Sequence, residues 1–112
     1  MRMMANADSL RLIWSPEAES DLFDIWDFAS LANKVDHAEG VLREIERAAD
    51  LLSRWPEFGR ARDTLRAGIR SLHVNRHTIF YRVKDNAVQI VRVLDERRDI
   101  ETTFNDHEGF RA

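Results

Sequence analysis

Apolar residues interleave with polar ones in two runs of the second half of the chain, residues 77–83 and 88–94. Both runs are rich in β-branched and aromatic residues, which is typical of β-strands. Asp85 and Asn86 lie between them and tolerate the positive φ angles of a tight two-residue turn. The pattern therefore predicts a β-hairpin, and a third run, residues 69–74, predicts a strand joined to it by another short turn.

The predicted turn also fixes which residues face each other across the hairpin. It pairs Val83 with Val88, Tyr81 with Ile90, Ile79 with Arg92 and His77 with Leu94 on a core face that also carries Leu72 and Val74. The opposite face then carries Ile69, Ser71, His73, Thr78, Phe80, Arg82, Lys84, Gln89, Val91 and Val93. This mixture fits either an ordinary solvated face or a binding face.

Before the hairpin the pattern changes to the period of helices. Residues 10–14 predict a short strand that ends at Ser15, a helix-capping residue, and Pro16 suits a first helical turn. Apolar positions then recur at helical spacing, at Ala18, Leu22, Ile25, Trp26 and Ala29, and the acids Glu17, Glu19, Asp21, Asp24 and Asp27 are expected to form a solvated face. We expect Asn33 to close this helix.

A second amphipathic helix follows closely. Asp36 and Glu39 form a capping-box pattern at its predicted start, and the helix must end before Pro56. The two helices together predict a helical hairpin. The segment 56–68 has little periodicity and is expected to be a loop.

Length and composition bound the class of protein. At 112 residues the chain predicts a single domain, expected at residues 10–104 between flexible segments 1–9 and 105–112. It has no cysteine, and no spacing of histidines and acids indicates a metal site, so we expect neither metal nor cofactor. No apolar run predicts a membrane span, and a cytoplasmic location suits this composition.

Charge is distributed unevenly along the chain. Net charge is −3, but residues 1–53 hold 5 basic and 11 acidic side chains, whereas residues 54–98 hold 11 basic and 5 acidic ones. The second half is therefore expected to meet an acidic partner. Aromatic residues do not interleave with the basic ones as in single-strand binders, so specific nucleic-acid binding is not expected.

Four short motifs lie in order along the predicted β-α-α-β-β-β arrangement, at residues 14–18 (WSPEA), 56–60 (PEFGR), 79–83 (IFYRV) and 93–99 (VLDERRD). With this order the chain resembles the RelE/ParE toxin superfamily. The resemblance implies an α+β fold: a mostly antiparallel four-stranded sheet packed on one face by an α-helical hairpin, with a short C-terminal helical turn. It also implies the toxin of a bacterial type II toxin–antitoxin pair, neutralised by an antitoxin that wraps around it.

Two branches of the superfamily differ in activity. Members of the ParE branch inhibit DNA gyrase, and RelE-like members are ribosome-dependent endoribonucleases that cut messenger RNA. RelE-like nucleases use basic residues on the second and third strands, where this chain has Ile69, Ser71 and Thr78, and a C-terminal Arg and Tyr or His, matched here by Arg98 and Phe104. Three neutral side chains and a phenylalanine cannot supply the positive charge or the proton transfer that phosphodiester cleavage needs. The resemblance is therefore closer to the ParE branch.

These comparisons give the candidate site residues. No catalytic residue is predicted; if the chain were a nuclease, His73, Arg82 and Arg98 would serve. Target binding is expected at Arg97, Arg98 and Phe104, and antitoxin binding at Trp26, Arg60, Arg62, Arg66, Phe80, Arg82 and Val91. The implied partners are a ParD-like antitoxin and DNA gyrase. The alternatives are a RelE-like nuclease and a toxin-like binding domain that lacks activity.

Overall fold

A computed structural model describes residues 9–96. In chain order the elements are β1 (Arg11–Trp14), α1 (Pro16–Leu31), α2 (Val35–Arg54), β2 (Arg60–Ala61), β3 (Arg70–Val74), β4 (His77–Lys84) and β5 (Ala87–Asp95). The sheet order is β1-β5-β4-β3-β2, and the β1–β5 pair is parallel while the other pairs are antiparallel. The predicted α+β fold is confirmed, with one more strand, because the two-residue β2 lies where only a loop was predicted.

Local chemistry at both ends of α1 follows the sequence prediction. The Ser15 hydroxyl accepts a hydrogen bond from the Ala18 N–H at 2.9 Å and donates one to the Val91 carbonyl at 2.8 Å, so it caps the helix and ties it to β5. Asn33 has a φ of 61° just after the helix. The Lys34 N–H then bonds the Ala29 carbonyl at 2.7 Å, and the Asn33 N–H bonds the Ser30 carbonyl at 3.1 Å, which together close the helix.

The predicted start of α2 was wrong. Lys34 precedes the helix, and no side chain caps it; Asp36 lies inside the first turn rather than at the cap. The reason is that the turn closing α1 runs directly into α2, so that Lys34 belongs to both the end of one helix and the start of the next. No residue remains between the helices to act as the predicted capping box.

The β4–β5 hairpin follows the predicted register for only half its length. Asp85 and Asn86 form the turn with φ angles of 55° and 59°, and the pairs Val83–Val88 and Tyr81–Ile90 are confirmed. A β-bulge beside Phe80 and Tyr81 then places one additional residue in β5. Beyond the bulge Ile79 pairs with Val93, Phe80 with Arg92 and His77 with Asp95, so the predicted pairs Ile79–Arg92 and His77–Leu94 were wrong.

The bulge exchanges the two faces of β5 for the residues beyond it, and as a result Val93 and Leu94 join different cores. Val93 packs in the main core between helices and sheet, with Ala18, Val41, Ile45, Ala49, Leu52, Ile79, Tyr81, Val88 and Ile90. Leu94 joins Ile69, Phe80 and Val91 in a second, smaller core on the other face, against which Leu65 packs. The face predicted to be open is therefore partly buried.

Candidate functional site

An ion pair fixes α1 on the sheet. Arg92 donates from Nε and Nη2 to the two carboxylate oxygens of Asp21, both at 2.8 Å, and each residue is only 6% exposed. The hydrogen bond to Asp21 raises the pKa of the Arg92 guanidinium above its ordinary value. Asp21 also accepts the Val93 N–H at 2.8 Å, where β5 extends beyond its pairing with β1. Asp21 is thus buried, and its predicted place among solvated acids was wrong.

The outer side of α1 is apolar and exposed. Phe28 is 72% and Leu31 is 82% exposed, and Phe23 and Trp26 are also well exposed. Several large apolar side chains concentrated on one short helix are unusual for a surface that stays in water. The helix has exposed acids but no basic residue, so this surface, the α1 face, is apolar and negatively charged.

A cleft of about 550 Å³ adjoins the α1 face where the helical hairpin meets the ends of β4 and β5. Its floor is formed by apolar side chains of α1, α2 and β5, among them Ile25, Val41 and Val93, and Phe28 lines it from α1. Lys34, His37, Arg76 and His77 bring basic groups to it, and Asp24 and Asp95 bring acidic ones. A cavity of this size can hold a large side chain of a partner.

The opposite side of the sheet carries basic residues. Strand register places Arg60 beside Ser71, Arg82 beside Gln89, and Ala87 between Arg11 and Lys84. Together with Arg62 and His73 these residues form what we call the basic face: Arg11, Arg60, Arg62, His73, Arg82 and Lys84. Within strands β1–β5 no Asp or Glu shares this face, because Asp95, the one acid in a strand, pairs with His77 on the cleft side.

Two arginines of the basic face are held by neutral groups. Arg62 donates from Nη1 to the Ser71 hydroxyl at 3.3 Å, and its guanidinium lies 5.9 Å from the centre of the Phe80 ring. Arg82 donates from Nε to the Gln89 amide oxygen at 2.7 Å. Arg54, Arg76 and Arg92 differ, because each pairs with a carboxylate. The two guanidiniums are therefore oriented, and no carboxylate of residues 9–96 forms a salt bridge with either of them.

The loop that leads to Arg60 and Arg62 is tied down by Tyr81. The Tyr81 hydroxyl donates to the Pro56 carbonyl at 2.7 Å and accepts the Gly59 N–H at 2.9 Å. A side chain at Gly59 would collide with that hydroxyl, so the close approach requires glycine. Burial raises the pKa of Tyr81 above its ordinary value.

Two of the nuclease candidates, His73 and Arg82, lie on neighbouring strands. His73 lies opposite Thr78, with 3.4 Å between Nδ1 and Oγ1. Arg82 is four residues farther along β4, a separation of roughly 13 Å at the rise of a strand. His73 contacts Thr78 and Arg82 contacts Gln89, so each has a different partner, and Arg98 lies outside the described residues.

The comparisons decide the family. A model described as "ParE toxin of type II toxin-antitoxin system, parDE" matches residues 12–100. The chain belongs to the ParE toxin family. It is 42% identical over 94 residues to Toxin ParE1 of Mycobacterium tuberculosis (strain H37Rv), covering 83% of this chain and 96% of that toxin. It is 34% identical over 82 residues to Toxin ParE1 of Caulobacter vibrioides, covering 73% and 84%.

A solved structure shows the same fold. A chain titled "Chromosomal ParDE TA system from P. aeruginosa" superposes with a TM-score of 0.68, covering 79% of this chain and 97% of its own length. Sequence identity between the two is 23%, so this likeness concerns the ParE fold alone. The predicted membership of the RelE/ParE superfamily, in its ParE branch, is confirmed.

The structure of this ParE-family chain separates the residues predicted to bind an antitoxin. Trp26 lies on α1, whereas Arg60, Arg62 and Arg82 lie on the far side of the sheet, with Arg66 in the adjoining segment. Phe80 and Val91 are buried in the second core, at 0% and 2% exposure, so a partner reaches neither without displacing what covers them. The predicted target-binding residues Arg97, Arg98 and Phe104 lie outside the described residues.

Sequence reasoning missed candidate residues on both surfaces. Phe23, Phe28 and Leu31 fall outside the apolar spacing that predicted the core side of α1, and this displacement is itself a signal of an exposed apolar face. Arg11 was missed because only the parallel pairing of β1 with β5 brings it beside Lys84.

Residues 9–96 contain neither a metal-binding cluster nor a membrane-spanning helix. No group of three or more His, Cys, Asp or Glu residues there could hold a metal ion. In the same residues, no helix has both the length and the apolar character needed to cross a membrane.

Proposed function

We propose that this protein is the toxin of a type II toxin–antitoxin pair that stops growth by inhibiting DNA gyrase, and that a ParD-like antitoxin encoded beside it neutralises it. Membership of the ParE family supports the gyrase target, because inhibition of gyrase is characteristic of that branch. The structural observation that carries the antitoxin partner is the exposed α1 face with its adjoining cleft.

The α1 face restricts the chemistry of the antitoxin segment that covers it. Phe23, Phe28 and Leu31 require apolar side chains opposite them, and the acids of α1 favour basic residues at the edges of the contact. An amphipathic helix with apolar positions three and four residues apart has this form. One of its large side chains would fill the cleft beside Phe28.

The predicted contacts at Arg60, Arg62, Arg66 and Arg82 require a second segment of the antitoxin. Arg60, Arg62 and Arg82 lie on the other side of the sheet from α1, so one antitoxin chain must pass around the toxin to reach both surfaces. We expect this second segment to be acidic. A wrapping antitoxin agrees with the separation of Trp26 from the arginines.

Induction of the full chain, with and without the neighbouring gene, tests the proposal. We expect growth arrest only without the antitoxin, with accumulation of DNA breaks, and loss of supercoiling activity when purified gyrase is mixed with the toxin. Arrest of protein synthesis with codon-dependent cuts in messenger RNA would instead assign the RelE-like activity. Unchanged growth at full expression would leave an inactive toxin-like domain.

A pair of variants locates the surface that meets the target. Replacement of Arg97 and Arg98 together by Ala should abolish growth arrest and gyrase inhibition while antitoxin binding persists. Arg43→Ala/Arg47→Ala, which removes the same charge from the exposed side of α2, is the control and should remain toxic. Full toxicity of the Arg97→Ala/Arg98→Ala variant would remove these residues from the target site.

A further inference from the structure

The structure places opposite charges on the two sides of the molecule. α1 has exposed acids and no basic residue, whereas the strands present only basic charged residues on the far side of the sheet. The net charge of −3 conceals this separation. A chain with a weakly negative total can therefore still attract a polyanion to the basic face.

The basic face extends across the whole sheet. Its cations reach from Arg11 on β1 to Arg60 on β2, at opposite edges of five strands. Four strand spacings make this width about 19 Å. Phosphates of one DNA strand follow each other at about 3.4 Å along the helix axis, so an extended row of them can meet several of these cations at once.

We propose that, in the toxin freed from its antitoxin, the basic face binds the sugar–phosphate backbone of nucleic acid without reading its sequence. Arg62 and Arg82 are oriented by Ser71 and Gln89, and their remaining N–H groups are available to phosphate oxygens. The inference rests on the proposed function in one respect, because the proposed antitoxin covers some of the same arginines. The binding itself requires no gyrase.

Basic residues outnumber accessible apolar ones on the basic face, where Ile13, paired with Gln89, is 37% exposed, and this balance favours nucleic acid over a protein as its main ligand. Phe80 and Val91, the large apolar side chains near its centre, are buried in the second core. A protein interface usually depends on accessible apolar or aromatic anchors, whereas phosphate contacts need only charge and hydrogen-bond donors. With Phe80 buried, no base can stack on it, and binding is expected to be independent of sequence.

Binding of labelled nucleic acid to the purified full-length toxin, measured over a range of salt concentrations, tests this. The probes are a DNA duplex and a single-stranded RNA of unrelated sequences, with poly-glutamate as an acidic polypeptide. Contacts to five phosphates predict a slope of log K against log salt of about −4.5 for duplex DNA and about −3.5 for a single strand. Affinity for the duplex should then fall roughly 500-fold between 50 and 200 mM salt.

Two double variants that remove the same charge from different surfaces test whether nucleic acid binds at the basic face. Arg60→Gln/Arg82→Gln should reduce the slope for the duplex by about 1.8, because two phosphate contacts are lost. Arg43→Gln/Arg47→Gln removes the same charge from α2 and should leave the slope unchanged. Equal effects of both pairs, or no binding of either nucleic acid at 50 mM salt, would overturn the proposal.

Two further outcomes distinguish nucleic-acid binding from binding of an acidic protein and from gyrase inhibition. Retention of poly-glutamate without either nucleic acid would assign the basic face to acidic protein alone and would also overturn the proposal. Gyrase inhibition and growth arrest are measured independently. Their persistence in a toxin that binds no nucleic acid would refute this inference and leave the proposed function intact.

Discussion

Arg92 depends on Asp21 for its charge compensation and for most of its side-chain hydrogen bonding. Asp21→Ala would leave a guanidinium uncompensated at 6% exposure and deprive the Val93 N–H of its acceptor. We expect the free energy of unfolding, measured by urea denaturation, to fall by about 3–5 kcal/mol.

Two comparisons show whether this loss comes from the buried pair. Asp24→Ala removes an exposed acid of the same helix and should change stability by less than about 0.5 kcal/mol. The double variant Asp21→Leu/Arg92→Met replaces the pair with apolar side chains and should be more stable than Asp21→Ala alone. Equal losses for Asp21→Ala and Asp24→Ala would contradict the buried ion pair.

The raised pKa of Tyr81 predicts a loss of stability at high pH. Its pKa in the folded chain is raised, first by burial, so the unfolded chain releases this proton at lower pH than the folded one. The contribution to stability is complete below pH 10 and is lost as the pH rises through the folded pKa. Because Tyr81 is the only tyrosine, the absorbance of its phenolate reports the titration directly.

Tyr81→Phe is the control for this pH dependence. The substitution should lower the free energy of unfolding by about 1–2 kcal/mol at neutral pH, because the Pro56 carbonyl and the Gly59 N–H lose their common partner. Above pH 10 the stability of this variant should fall less steeply than that of the natural chain. Parallel curves for the two proteins would rule out a raised pKa for Tyr81.

At the residue scale, the sequence predicted what depends on near neighbours. The cap at Ser15 and the positive φ of Asn33 follow from their own chemistry and were confirmed. Asp21 was misplaced because its partner Arg92 is 71 residues away in the sequence. Spacing within one helix carries no information about such a partner.

The strands show the same limit, because local spacing predicted only part of their pairing. The turn at Asp85 and Asn86 fixed the hairpin register correctly as far as Tyr81, and nothing in the alternation of residues marked the bulge beyond it. One additional residue exchanges the two faces of a strand. Val93 and Leu94 therefore lie on the sides opposite to those predicted.

The α1 face provides a prediction for a whole element. Phe28→Ser/Leu31→Ser should leave stability nearly unchanged, because both side chains are mostly exposed. Binding of the cognate antitoxin should weaken by about 2 kcal/mol or more, roughly 30-fold, if these side chains are central anchors. Titration calorimetry with the purified antitoxin measures this.

Phe58 offers the control for that experiment. It is 62% exposed but lies after α2, away from the α1 face. Phe58→Ser should therefore preserve antitoxin affinity. An equal loss in both variants would indicate a general effect of replacing exposed apolar side chains by serine, and no loss in either would remove α1 from the interface.

For the whole molecule, the sequence predicted the layers but not their surfaces. The order of elements gave an α+β sheet packed by a helical hairpin, which is confirmed. The uneven charge along the chain was also visible, but its division between two sides of a sheet needed the strand register. Contacts of Arg97, Arg98 and Phe104 with a target stay predictions.

The parallel pairing of β1 with β5 also affects how the chain folds. The Ser15–Val91 hydrogen bond beside this pair joins residues 76 positions apart. Contacts so distant in sequence form late, because much chain entropy is lost before they are made, whereas the helical hairpin and the strands β3 to β5 need only short-range contacts. A nascent chain without β5 has no strand to receive β1 and no counter-ion for Asp21. We therefore expect β1 and α1 to take their final places only after β5 has left the ribosome.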